Sequence, residues 1–251
     1  MLDNGLTRIF APKQPTKNEF PWDLKADARQ LYHRWYNEIF SVDLLRGIVL
    51  ARAKNKADKR NADRIDPEWP HRVSAKYYGH GDLVMGQWWP TQLCTMRDGA
   101  HGSAQGGISG DKGKGAYSIV LSGGHNYSDE DSGEDIWYAG TEGKDFLPTE
   151  NTLRMIESCD VIKEPVRVIR SHNLDKSNPY RPKGGFRYDG LYDVVAKEVL
   201  DEEKAMYRFR LIRRGGQDPI RYEDNATRRP TQNELAEYEK LSSEREVVMI
   251  D

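Results

Sequence analysis

From residue 23 onward the apolar positions Leu24, Ala28, Leu31 and Trp35 recur at intervals of four, three and four, the period of one helix face. Asp23 stands where a capping side chain would. A second run through Val42, Leu45, Val49 and Ala53 keeps the same spacing, so two helices are expected within residues 23–60, closing near Pro67 and Pro70. From about residue 71 to 222 the period shortens. YSIVL, DIWYA, VRVIR, YDVVAKEV and YRFRLIRR are brief runs rich in β-branched and aromatic residues, separated by glycine-rich loops, and read as strands. The last alternates Tyr207, Phe209 and Leu211 with Arg208 and Arg210, as a strand with one wet face does. In TQNELAEYEKLSSE, Thr231 and Glu234 have the spacing of a capping box, which predicts a closing helix. The expected organisation is a helical extension over 1–70, a β-rich domain over 71–222 and a helical tail over 223–251.

With 251 residues, 37% hydrophobic and 31% charged, the chain can bury one good core and still carry an extension. No run of eighteen apolar residues occurs, and MLDNGLTRIFAPKQ lacks a basic region followed by an apolar one. Neither a membrane span nor a secretory signal is expected, and an intracellular address follows. The two cysteines, Cys94 and Cys159, cannot form a disulfide framework or a four-cysteine zinc site. Net charge is −2, but bases gather at 46–64, 167–187 and 208–214 while acids gather at 129–135 and 201–203. Such segregation permits a basic face, solvated helix and strand faces being the simpler reading of any one cluster.

Familiar catalytic signatures are missing. DGAHGSAQGGISGDKGKGAY is rich in glycine, yet neither a phosphate-binding G-x-x-x-x-G-K-[ST] nor a strand-borne G-x-G-x-x-G can be drawn through it. H-E-x-x-H, the deaminase pairing of H-x-E with P-C-x-x-C, and G-x-S-x-G are absent too. No enzymatic activity, cofactor, metal or small-molecule substrate is therefore expected. One stretch invites a binding role: YSIVLSGGHNYSDEDSGEDIWYAG, from Tyr117 to Gly140. Two glycines at a strand end let a ligand approach the backbone, rings can sandwich a flat ligand, and a carboxylate can accept from an exocyclic amine. A flat ligand bearing an amine describes cytosine; a surface turn followed by a core strand is the plainer reading of the same residues.

Taken with GDLVMGQWW near Gly81, EPVRVIRSHNLDKSNPYRPKGGFRYDGLYDVV and RFRLIRR, that stretch resembles the SET- and RING-associated domain, also called SRA or YDG after the tripeptide here at Tyr188, Asp189 and Gly190. The helices over 23–64 also resemble the segment preceding this domain in plant histone methyltransferases, while the SET and RING parts of some relatives are not seen in the sequence. The resemblance implies an α+β, PUA-like bent β-barrel with flanking helices. Such a domain binds duplex DNA and flips a 5-methylcytosine, or a 5-hydroxymethylcytosine, into a pocket. It implies that Ser122, Gly123 and Gly124 form the backbone wall, that Asp129 accepts from the cytosine amine and that Tyr138 stacks on the base, with Ala139 where many relatives have threonine. The opposite ring is His125 or Tyr127, because one extra residue separates the glycines from the acid; tyrosine presents the larger uncharged face.

Two further features bear on mechanism. Aligning DGAHGSAQGGISG without gaps puts Gln105 at the tip of the family's inserted thumb, where glutamine could bond to the orphaned guanine, unless it merely decorates a mobile loop. The chain between YAGTEGKDF and TENTLRMIES is too short for the major-groove finger that senses methylation on the opposite strand, so hemi- and fully methylated sites are expected to bind alike. Lys112, Lys114, Lys183, Arg187, Arg208 and Arg210 are phosphate candidates. The YDG tripeptide reads as mainly structural, an Asp-Gly turn opening a strand with its tyrosine packed, and Asp189 as a base contact is the alternative. Expected partners are double-stranded DNA carrying methylated cytosine and chromatin proteins, in the nucleus, with no membrane. KNKADKR at 54–60 serves as an import signal, a phosphate contact or a solvated helix face. Two other functions stay open: an interaction module that keeps the fold without the pocket, and the targeting part of a modification-dependent nuclease.

Overall fold

Sixteen consecutive residues, Phe186–Asp201, form one long strand, and the rest of the sheet is assembled along it. The computed structural model describes residues 5–10, 19–51, 62–123 and 129–248. Two helices lead in, α1 (Thr7–Phe10) and α2 (Trp22–Tyr36), before a small antiparallel pair, β1 (Ile48–Val49) with β2 (Arg64–Ile65). There follow β3 (Trp88–Trp89), α3 (Gln92–Arg97), β4 (Ile108–Asp111), β5 (Gly115–Leu121), β6 (Glu130–Asp131) and β7 (Asp135–Ala139). Helix α4 (Glu150–Glu157) runs into a π-helical turn at Ser158–Ile162, and β8 (Val166–Ser171), β9 (Phe186–Asp201), β10 (Met206–Arg213) and α5 (Gln232–Val248) complete the chain. The large sheet has eight strands, in the order β4-β5-β8-β9-β10-β7-β6 with β3 added at the start of β9. Among the described residues, only β5 and β8 run parallel.

This is the expected α+β architecture, with one correction: the sheet is bent but does not close into a barrel. Register shifts between Val168 and Ile169 and between Arg210 and Leu211 bend it. The end strands β4 and β6 are not paired with each other among the described residues. Both faces of the central strands are covered. Ile119 and Leu121 of β5 join Val166, Val168, Phe209 and Met155 in one core, while Val120 and Ile169 join Trp89, Cys94 and Tyr188 in another. Successive strand residues point to opposite faces, so two cores on one strand require that it be buried throughout, as β5 is.

The lead-in departs from its periodicity. Helix α2 forms, but Pro21 rather than Asp23 occupies its N-cap, and Leu24 is exposed while Ala26 and Ala28 are buried. The second expected helix does not form. Val42 is exposed and Gly47 turns the chain at φ +66°, where an added Cβ would meet the Trp69 ring at 2.4 Å. An apolar spacing cannot become a helix across a residue held in the left-handed region. Ala53 and the KNKADKR tract lie outside the described residues. The closing helix does start with a capping box: the Thr231 N–H donates to Glu234 Oε2 at 2.8 Å and the Glu234 N–H to Thr231 Oγ1 at 3.2 Å.

Asp189 and Gly190 do not form a turn. They lie inside β9, where Gly190 adopts φ +111° beside Gln217. The fully buried Asp189 carboxylate accepts from Arg170 Nη1 at 2.9 Å and from Arg187 Nε and Nη2 at 2.6 and 2.9 Å. Arg170 also donates from Nε and Nη2 to the two oxygens of Asp131, at 2.8 and 2.6 Å. Two arginines and two aspartates thus neutralise one another inside the protein, joining β6, β8 and β9. Removing one member of such a group leaves an uncompensated buried charge, which costs about 3–5 kcal/mol. Arg170→Met is therefore expected to lower unfolding free energy by about that much in urea titration at pH 7. Arg210→Met, which breaks a solvent-screened pair with Asp135, should cost far less; equal costs would refute this assignment.

Candidate nucleic-acid interface

The candidate base pocket is built where β5 ends, β6 begins and β7 ends. Ser122 and Gly123 follow β5; Gly123 holds φ +65°, and a Cβ there would lie 3.0 Å from the Asn173 carbonyl, so this wall tolerates only backbone. Gly124, His125 and Tyr127 lie outside the described residues. Asp129 precedes β6, and its Oδ1 accepts the Ala139 N–H at 2.7 Å, which ties the acid to the end of β7. Burial pushes the Asp129 carboxyl up to about 6, against the pull of that N–H and with help from the nearby Asp131 charge. Among the described residues, Oδ2 of Asp129 has no hydrogen-bond partner. Tyr138 is buried within the first core, and its hydroxyl reaches the loop at Gly107, where an added Cβ would lie 2.5 Å away.

That loop carries Gln105, whose side chain is exposed. Its base is braced from two sides. Gln92 Nε2 donates to the carbonyls of Ser103 and Gly106 at 3.1 and 2.8 Å, and Ser103 Oγ accepts the Gly106 N–H at 2.7 Å. The buried His101 ring lies 2.8 Å from both Gly106 O and Ser118 Oγ. A carbonyl only accepts, so Nε2 bears the proton and Nδ1 takes the Ser118 hydroxyl hydrogen. Burial lowers His101 to about 4, which keeps the ring neutral in this role. Gln105 thus sits on a supported tip, not on an unanchored loop.

The basic candidates separate clearly. Lys112 and Lys114 are exposed in the β4–β5 turn, and Lys183 is exposed with Asp224 3.6 Å away. Arg208 lies over the Trp137 ring and pairs with Glu130 and Glu198; Arg210 pairs with Asp135. Arg187 requires correction. It is buried, and besides Asp189 it donates to the carbonyls of Tyr180, Arg221 and Arg229, so no nitrogen is left for a phosphate. Asp189, equally buried and paired, is excluded as a base contact for the same reason.

Sequence reading missed the supports: Asp131, Arg170, Gln92 and His101. Burial alone would raise Asp131, but bonds and charge from Arg170, with Asn178, hold it below the usual carboxylate range. Part of the acidic run is therefore an internal anchor two residues from Asp129. The available signal was an arginine within the otherwise apolar VRVIRS, since a buried strand tolerates a charge only when paired. Among the described residues no cluster of His, Cys, Asp and Glu could hold a metal ion, and no helix is long and apolar enough to cross a membrane.

Comparison with known proteins gives this geometry a context. A UHRF1-like protein of Cryptococcus neoformans is 32% identical over 139 residues, 47% of this chain and 40% of that protein. The E3 ubiquitin-protein ligase ORTHRUS 3 of Arabidopsis thaliana is 38% identical over 129 residues, 45% of this chain and 19% of that one. The chain thus spans less than half the length of these relatives. Among solved structures, a modification-dependent TagI restriction endonuclease is 31% identical with a TM-score of 0.48, covering 57% of this chain and 54% of that one. The SRA domain of SUVH5 bound to fully hydroxymethylated CG DNA is 29% identical with a TM-score of 0.47, covering 58% and 99%. The family model of the SAD/SRA domain matches residues 77–217, more than half of the chain, and spans Asp129, Tyr138, the braced loop and the YDG tripeptide. The chain belongs to the SAD/SRA domain family.

Proposed function

We propose that this chain reads 5-methylcytosine, or 5-hydroxymethylcytosine, in duplex DNA by flipping the base into the site around Asp129, without chemical turnover. The observation that carries this reading is the Asp129 carboxylate: one oxygen is fixed by the Ala139 N–H and the other, which has no hydrogen-bond partner among the described residues, can accept from the exocyclic amine. Gly123 supplies a backbone wall, Tyr138 the ring beneath, and His125 or Tyr127 the opposite ring. Flipping costs a few kcal/mol of stacking and pairing, which ring stacking of about 1–3 kcal/mol per base helps to offset. Gln105, on its braced loop, fills the vacated space and bonds to the orphaned guanine. Lys112, Lys114 and Lys183 contact phosphates, with Arg208 and Arg210 doing so by exchanging their acidic partners; each contact adds about one unit to the salt slope. The setting is the nucleus, with chromatin proteins as further partners and 71–222 as the folded reader between its two helical extensions.

The connection from β7 to α4 bears on selectivity. It folds back onto the β9–β10 hairpin, with Gly143 N–H donating to Lys204 O at 2.7 Å and Phe146 N–H to Glu203 O at 2.9 Å. No finger projects from it to inspect the opposite strand. Fluorescence anisotropy with one duplex, its central CpG unmodified, hemimethylated, fully methylated or hydroxymethylated, is expected to show at least about a tenfold (1.4 kcal/mol) gain for methylation. Hemi- and fully methylated forms should agree within about twofold, under 0.5 kcal/mol. Equal binding to all four would sink the reader function; a clear hemimethyl preference would sink only the missing-finger argument.

Asp129 links binding to pH. Its folded value of about 6 exceeds the ordinary 3.8, so the folded chain holds this proton more tightly. The stabilisation is complete below the ordinary value and is lost as pH rises through 6, by about 3 kcal/mol at most. Asp129→Asn should therefore be more stable than the parent at pH 7.5, with the gap closing towards pH 4, while losing methylated-duplex affinity at least about tenfold, or 1.4 kcal/mol. Parent affinity should fall roughly fourfold between pH 7.5 and 5.5 as the acceptor is protonated. Full affinity in the variant, or a flat profile in the parent, would remove Asp129 from the site.

A further inference from the structure

Far from Asp129 in the fold, α2 lies against β3 and α3 across a cavity of about 340 Å³. Its polar wall carries three guanidiniums: Arg34 from α2, Arg46 from the turn before β1 and Arg97 from α3. Arg97 is fully engaged, with Nε and Nη2 on the two oxygens of Asp98 at 2.6 and 2.8 Å and Nη1 on the Arg46 carbonyl at 2.7 Å. Asp98 also accepts from Trp89 Nε1 at 3.0 Å, so little of its charge remains for the other two arginines. Arg46 reaches Asp98 only at 3.4 Å and the Asp43 carbonyl at 3.3 Å. Arg34 makes one hydrogen bond among the described residues, to the Ser41 carbonyl at 2.6 Å. Among the described residues, the Nε atoms of both are buried without a partner.

The other acids of the cavity are committed elsewhere. Glu234 takes Arg229 and its own cap, and Asp82 is largely exposed beside His33. His71 and Tyr77 line the cavity too and supply no carboxylate. Burial and the adjoining Arg97 lower Arg46 to about 10, as expected of a cation short of counter-charge. Tyr77, Leu83 and Trp88 also line the cavity and give it apolar surface. Its volume lies within the range of small-molecule sites and far exceeds that of an inorganic ion.

We propose that this cavity is a site for a small organic anion, whose carboxylate or phosphate pairs with Arg34 and Arg46 while an aromatic or other apolar body lies along Tyr77 and Trp88. Guanidinium is suited to both oxyanions, and a cavity with an apolar body and a few converging polar groups fits such a ligand. Bound there, the ligand would stabilise the docking of α2, independently of the DNA site.

The test is thermal unfolding and tryptophan fluorescence of the full chain, titrated with phenyl phosphate, benzoate, benzyl alcohol and inorganic phosphate. Phenyl phosphate or benzoate should raise the midpoint as binding to the folded state requires, with a saturable fluorescence change, and benzyl alcohol should do neither. Inorganic phosphate should bind at least about tenfold more weakly than phenyl phosphate. Arg34→Gln, which loses a single hydrogen bond, and Arg46→Gln should each weaken binding at least about tenfold, with methylated-duplex affinity unchanged in Arg34→Gln. The proposal is overturned by no saturable response to either aromatic anion, by equal binding of benzyl alcohol, or by undiminished binding in Arg34→Gln. Inorganic phosphate matching phenyl phosphate would overturn the organic ligand and indicate an adventitious ion only.

Discussion

The buried group of Arg170, Asp131, Asp189 and Arg187 is the constraint on which the candidate site depends. Strand β6 has only two residues in register with β7, too few for a ladder to hold it firmly. What fixes it is the Arg170 guanidinium, presented by β8 and gripping both oxygens of Asp131. Asp129, two residues upstream, inherits that placement and adds its own bond to Ala139. Desolvating four charges is costly, and the arrangement holds because nearly every lone pair and proton is used, including those directed at the Gly133, Tyr180 and Arg221 carbonyls. The interior is therefore electrostatically specific where the surface chemistry must be.

The two acids of one short segment differ in how their charge is compensated. Asp131 is held charged by its arginine and contributes to folding, whereas Asp129 is desolvated with, among the described residues, a single N–H in compensation. Strain of this kind is what a ligand relieves when it brings its own donor. The loop at Gln105 is braced in a related way: its tip is exposed, while the carbonyl of Gly106 is shared by Gln92 and a neutral His101.

Much of the sheet is legible in the sequence because its strands are brief runs rich in β-branched and aromatic residues: YSIVL, DIWYA, VRVIR and YRFRLIRR all appear in strands. The capping box at Thr231 is equally local and equally visible. Where tertiary contacts decide, the sequence misleads. The apolar spacing through Leu45 and Val49 points to a helix, but Gly47 is forced to positive φ beneath Trp69, a residue more than twenty positions away. Asp189-Gly190 has the composition of a turn, yet its partners Arg170 and Arg187 draw it into a strand. Arg187 looks like a phosphate ligand for want of any local sign that it is interior. The resemblance supplied the candidate site residues; their supports lie in other strands and could be found only through the fold.

The matched family residues stop at 217, but the protein's internal wiring does not. Arg187 spends one nitrogen on the carbonyls of Arg221 and Arg229, and those same two arginines clasp Asp27 of the leading helix, with Arg229 also holding Glu234 of the closing one. Both flanking segments therefore converge on one knot behind the YDG strand. A fragment trimmed to 77–217 would be cut through that knot, leaving Nη1 of the buried Arg187 without its two carbonyl acceptors, so the hydrogen-bonded unit of this chain is larger than the domain that names its family.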